Sequence, residues 1–225
     1  MKTKSVRGFE WLKGGKKFEG IEKVFNDMWC YYDFYLEKAE DLPYWSTEMA
    51  LVGNMAIASA CAGFPAALEF LQNKPKLKSR KRADLWMGFS KDRTMLVEAK
   101  CKWLSQLSDI TANKVNQSLD DADWQLDDFL KGVTDRERPT HLMSILFLQI
   151  YVSERDLKGF SKRTIEESLK SIHRSGKING QIPFLAHYFL IDSKEIKKHR
   201  DEDYKKSFYP GVIILGRIRA FEKST

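Results

Sequence analysis

A chain of 225 residues, 43% hydrophobic and 12% aromatic, buries a sizeable core and reads as a single domain over 1–225. Its net charge of +7 favours a polyanionic partner, nucleic acid ahead of an anionic membrane surface. Three cysteines, Cys30, Cys61 and Cys101, odd in number and far apart, exclude a disulfide framework and a structural zinc cluster.

The N-terminal stretch MKTKSVRGFEWLKGGKK lacks the apolar core of a signal peptide. No uncharged apolar run approaches membrane-spanning length, so a cytoplasmic protein with no membrane partner is expected. Gly14-Gly15-Lys16 lacks the spacing of a phosphate-binding loop. Over 18–39, Phe18, Ile21, Phe25, Met28, Tyr32 and Tyr35 recur at helical steps and predict an amphipathic helix. Ser46 is placed to cap a second, small-residue-rich helix with Glu48 in its first turn. AALEFLQ is a candidate strand, and RADLWMGFSKDRTMLVEAK, residues 82–100, predicts a hairpin. A second amphipathic helix follows, with Val115, Leu119, Ala122, Leu126 and Phe129 as its apolar side. HLMSILFLQIYV is a continuous apolar strand of the kind covered on both faces. A helix at 162–174 and strands in PFLAHYFLI and GVIILGRI complete the chain. This order predicts an α/β fold with a central mixed sheet flanked by helices. The cysteines and Trp103 are expected in the core.

The hairpin carries acids where a core strand has little use for them. Leu96, Glu98 and Lys100 share one face of the second strand, and Asp84 shares a face with Trp86 on the first. In one of the two registers that the short loop allows, Asp84 stands opposite Glu98, with β-carbons about 5 Å apart. Two carboxylates that close, under a covering helix, require a proton or a cation between them. Oxygen donors suit Mg²⁺, and a lysine on the same face suits a phosphate oxygen or a water.

These residues resemble a family. RAD at 82–84, a turn, then VEAK at 97–100 is similar to the PD-(D/E)XK, or restriction-endonuclease-like, nuclease superfamily, which sets an acid on one strand and Glu-x-Lys on the next. The resemblance implies an αβββαβ core over about 46–152, an N-terminal helical extension over 1–45 and a helix and strand elaboration over 153–225. It implies metal ligation by Asp84, Glu98 and the Ala99 carbonyl, with Lys100 catalytic and Glu48 as a further acid. The activity implied is hydrolysis of DNA by a metal-activated water, probed first as an endonuclease, with Mg²⁺ as cofactor and Mn²⁺ able to substitute. RNA is the less favoured substrate, a homodimer is compatible, and phage defence or mobile elements are among the settings. Ala83 stands where the name-giving proline would be. Gln117 matches a glutamine that some members carry on the next helix, but Asp121 breaks the QxxxY form.

KPKLKSRKR, residues 74–82, places six cations in nine positions just before Asp84. Lys74, Lys76, Lys78, Arg80, Lys81 and Arg82, with Lys102 beyond the motif, are candidates for phosphate contacts. The acidic face of Asp120, Asp121, Asp123, Asp127 and Asp128 reads as solvated and remote from substrate. His141, His173, His187 and His199 are isolated and suggest neither triad nor zinc site. Three accounts stay open: a nuclease, a nucleic-acid-binding module of the same fold that does not cut, and an interaction protein whose hairpin acids form a surface Glu98–Lys100 or Arg82–Asp84 ion pair.

Overall fold

The computed structural model describes residues 5–12, 18–71, 82–131, 133, 138–174, 184–201 and 207–221. Lys74, Lys76, Lys78, Arg80 and Lys81 lie outside the described residues. Elements follow in the order β1 (Ser5–Trp11), α1 (Ile21–Ala39), α2 (Glu48–Cys61), β2 (Ala66–Leu71), β3 (Arg82–Ser90), β4 (Arg93–Leu104), α3 (Ala112–Leu130), β5 (His141–Val152), α4 (Glu154–Leu157), α5 (Lys162–Arg174), β6 (Phe184–Leu190), α6 (Ser193–Lys198), β7 (Arg200–Asp201) and β8 (Ser207–Ala220).

Seven strands form one mixed sheet in the order β1-β6-β8-β5-β4-β3-β2, and the short β7 pairs with β8. Among the described residues only β4 and β5 run parallel. A parallel neighbour needs a crossover, and α3 supplies it. Strand β5 lies between β4 and β8, and its apolar run is buried nearly end to end. The expected α/β class with a helix-flanked mixed sheet is therefore observed.

The two sides of β3 and β4 serve different cores. Leu85, Met87, Met95 and Val97 pack with Phe25, Met28, Leu51 and Met55 of α1 and α2. Leu96 and Trp86 pack with Leu126 and Phe129 of α3. Helix α1 buries Ile21, Val24, Phe25, Met28, Trp29, Tyr32 and Leu36, so the helical reading of its aromatic stripe holds, although Tyr35 is only half-buried.

Several expectations need correction. The N-terminal extension is not only helical, because Ser5–Trp11 adds an edge strand antiparallel to β6. Its Gly8 faces His187, and a β-carbon there would come 2.7 Å from the imidazole Cε1. That strand exists through its partner, so its own seven residues carry little signal. Thr47, not Ser46, caps α2, its Oγ1 accepting from the Ala50 N–H at 3.4 Å. Cys30 and Cys61 are exposed, and Trp103 is 44% exposed where a core position was expected. Among the described residues no helix is long and apolar enough to cross a membrane.

Candidate active site

The ladder between β3 and β4 runs from Ser90↔Arg93 to Leu85↔Val97 and stops there. Continuing that register one step would set Asp84 against Glu98, which is one of the two registers that the loop allows. The strands part at this step. Ala83 packs in the cluster of Leu96, Leu126 and Phe129, whereas Leu85 packs with α1 and α2. Residues two apart on a regular strand share a face, so β3 turns over at Asp84. Across from it on β2, Glu69 has φ +48°, a left-handed conformation that interrupts the β2–β3 pairing between Leu68 and Phe70.

The departure of β3 leaves one edge of β4 short of partners from Ala99 onward, while β5 holds the other edge as far as Leu104↔Ile150. Carboxylates take the place of the missing strand. The Ala99 N–H donates to Asp84 Oδ2 at 2.7 Å. The Cys101 N–H lies against the Glu48 carboxylate and favours its charged form. N–H and C=O of one strand residue point to the same edge, so the Ala99 carbonyl is directed at the gap beside Asp84. Asp84, Glu98, Glu48, Lys100 and Ala99, chosen from sequence, thus meet where the sheet opens.

Lys100 Nζ donates to Glu98 Oε1 at 3.1 Å and also to Oε1 of Gln125 on α3. Glu98 is buried, only 7% exposed. Desolvation, then the Asp84 charge, raises its pKa to about 7 against the opposing pull of Lys100. Burial likewise raises Asp84, countered by the Ala99 N–H and Lys100, and raises Glu48, countered first by Lys100. Three carboxylates share one lysine of the same cluster. The deficit is positive charge.

Two buried polar side chains of β5 hold the helices that complete this site. Gln149 donates through Nε2 to the Ser46 carbonyl at 2.7 Å and accepts from the Ser46 N–H at 3.2 Å, anchoring the start of α2 and hence Glu48. Ser144 donates to Asp123 Oδ1 and anchors α3, which carries Gln125. Neither role was foreseen. The available signal was polarity itself, two hydrogen-bonding side chains inside an apolar run, because a buried polar group needs a partner.

The glutamine of α3 that meets Lys100 is Gln125, two turns after Gln117. Gln117 instead lines a cavity of about 260 Å³ between β4 and α3, together with Lys102 and Trp103. Arg82 is exposed and bonded to Glu69 Oε2 at 2.7 Å. The acidic face of α3 is not simply solvated. Arg217 Nη1 binds Asp120 at 2.6 Å and Asp123 at 2.8 Å, and Arg219 binds Asp127.

Among the described residues no group of three or more His, Cys, Asp and Glu side chains is gathered closely enough to hold a metal ion. Asp84, Glu98 and Glu48 therefore do not form a three-carboxylate ligand group. Asp84, Glu98 and the Ala99 carbonyl would offer an all-oxygen donor set, with Lys100 Nζ 3.1 Å from Glu98 Oε1. That set fits a hard cation such as Mg²⁺, which keeps several waters rather than filling its shell with side chains. Comparison of the chain with protein-family models, with curated proteins and with solved structures gives no match.

Proposed function

We propose that this chain is a Mg²⁺-dependent endonuclease that hydrolyses phosphodiester bonds of DNA. The observation that carries the reading is the parting of β3 and β4 at Asp84, which gathers two carboxylates, a strand carbonyl and Lys100 at one opening of the sheet. The order α2-β2-β3-β4-α3-β5 supports a restriction-endonuclease-like core, since it follows the helix, three strands, helix and strand that the motif resemblance implies. Exposed free Cys30 and Cys61 suit a reducing, cytoplasmic setting.

Asp84, Glu98 and the Ala99 carbonyl would hold the cation, and Mn²⁺ satisfies the same donors. Such an ion supplies Lewis-acid polarisation of the scissile phosphate and a more acidic water. The chain's own residues do the rest. Lys100, fixed by Glu98 and Gln125, presents its ammonium towards the phosphate oxygens that gain charge. Without a cation, burial and the Asp84 charge raise the Glu98 pKa to about 7, so a bound cation would favour its ionised form. Glu48 lies beside these groups as a further acceptor. Lys102 and Arg82 are placed to neutralise flanking phosphates.

A second reading, a fold that binds nucleic acid without cutting, draws on the pairing of Lys100 with Glu98 and Gln125, which leaves the lysine satisfied without substrate. A cleavage assay on mixed DNA and RNA with Mg²⁺ or Mn²⁺ separates the two. The nuclease reading requires cutting by the wild type and a loss of at least about a hundredfold in Glu98→Ala and Lys100→Ala. Retention of DNA with no cutting by any form favours the binding module, and equal cutting by all three proteins refutes the site.

A further inference from the structure

The geometry points to a nucleobase subsite in the cavity between β4 and α3, and hence to a substrate that is single-stranded at the point of attack. The inference rests on the nuclease reading and names the substrate class for it. Lys100 and Lys102 lie on the same face of β4, two residues and about 7 Å apart along the strand, the reach of about one extended nucleotide. Lys102 is also part of the wall of the cavity. A strand whose phosphate sits at Lys100 therefore runs its next nucleotide into the mouth of this space.

The cavity suits a flat ring with polar edges. Leu104, Val115 and Leu148 give it apolar walls, and Lys114, Gln117 and Asp121 bring polar groups from one side of α3. Its volume, about 260 Å³, falls below the roughly 300–1,000 Å³ of drug-sized sites, which suits one base and not a dinucleotide. Asp121 repels a phosphate but accepts from the amino group of a base, and a glutamine amide both donates and accepts at a base edge. The phosphates are thus directed to Lys102 and Lys114 at the rim and the base inward. A base stacked and paired within a duplex cannot enter, so the site selects an unpaired one.

The test is binding in EDTA, where no cutting occurs, measured by anisotropy with three labelled probes. They are a single-stranded DNA oligonucleotide, its duplex, and a strand of the same length with abasic sugars. The wild type is expected to bind the base-bearing strand about tenfold more tightly than the abasic strand, near the low end of what one stacked base contributes. It is also expected to bind the duplex more weakly than the single strand. Gln117→Ala, an exposed position, should erase the preference for bases and leave abasic binding unchanged. Lys114→Ala should weaken both strands alike and lower the salt slope by about one. Equal affinity for base-bearing and abasic strands, or a base preference untouched by Gln117→Ala, overturns the subsite. A wild type that cuts DNA but shows no base preference loses the subsite and keeps the nuclease. A protein that keeps the base preference yet never cuts with Mg²⁺ or Mn²⁺ loses the nuclease and keeps the subsite.

Discussion

Two groups of acids sit on the two sides of β5, and they are built differently. On the β8 side, Asp120, Asp123 and Asp127 of α3 meet Arg217 and Arg219 in direct ion pairs, and Ser144 adds a hydrogen bond to Asp123. On the β4 side, Asp84, Glu98 and Glu48 share Lys100, and two of these carboxylates face backbone N–H groups freed by the departing β3. The first group is nearly neutralised and latches a helix to the sheet. Among the described residues the second relies mainly on Lys100, in a partly dehydrated place. Acids whose charge is matched by their neighbours explain stability, whereas acids whose pKa values are raised by burial, and for Glu98 and Glu48 by the Asp84 charge, are candidates for a functional site. By sequence count alone, the helix with five aspartates would have been the richer candidate.

Breaking the latch should give the largest change. Arg217 is mostly buried, its side chain 11% exposed, and Arg217→Ala takes the nearest cation from Asp123, 23% exposed, while the more exposed Asp120 is hydrated. A loss of about 3 kcal/mol in urea unfolding is expected, as for the removal of one partner from a buried pair. A loss under about 1 kcal/mol would make the cluster a surface feature.

Glu98→Gln should act in the opposite direction. The folded pKa of Glu98 is raised from 4.5 to about 7, so its protonated form favours folding. The stability it contributes is complete below about pH 4.5 and is lost as pH rises through about 7. The glutamine stays neutral at every pH. In EDTA at pH 8 the variant should be more stable than the wild type by up to about 3 kcal/mol, and at pH 4 the two should be equal. Coincident pH profiles would show that Glu98 is not strained.

Divalent ions supply a third contrast. Saturating Mg²⁺ or Mn²⁺ should stabilise the wild type by about 2.7 kcal/mol at a hundredfold excess over the Kd. Asp84→Asn should abolish that gain, whereas Asp127→Asn, in the latch, should leave it in place. An equal gain in all three would locate the ions elsewhere. The smallest effect belongs to Arg82→Ala, since its pair with Glu69 is about half exposed on both sides. Its stability should shift by no more than about 1 kcal/mol, and its phosphate role should appear as a reduced salt dependence of DNA binding.

The motif was legible because alternation along a strand and a short loop restrict where side chains point. Asp84, Glu98 and Lys100 could be placed together from those two rules, and Glu48 could be placed in the first turn of its helix. The mechanism of their meeting was not legible. A ladder pairing of Asp84 with Glu98 was one of two registers left open, and the structure has β3 turning over at Asp84, so the carboxylate caps the Ala99 N–H. Gln117 was named by resemblance to a motif and Gln125 was not considered, although both lie on α3 and packing brings Gln125 to Lys100.

The amino-acid sequence by itself determined the helix faces, the buried strand β5 and the positions of the acids on β3 and β4, because these follow from periods of 3.6 and 2 that each segment carries locally. Tertiary structure alone decided that Ser5–Trp11 is a strand, that Arg217 and Arg219 close on α3, and that Gln149 sets the start of α2. Each of those depends on a partner at least 92 residues away in the chain. Local periodicity carries no information about which distant surface will supply the missing hydrogen bond or charge.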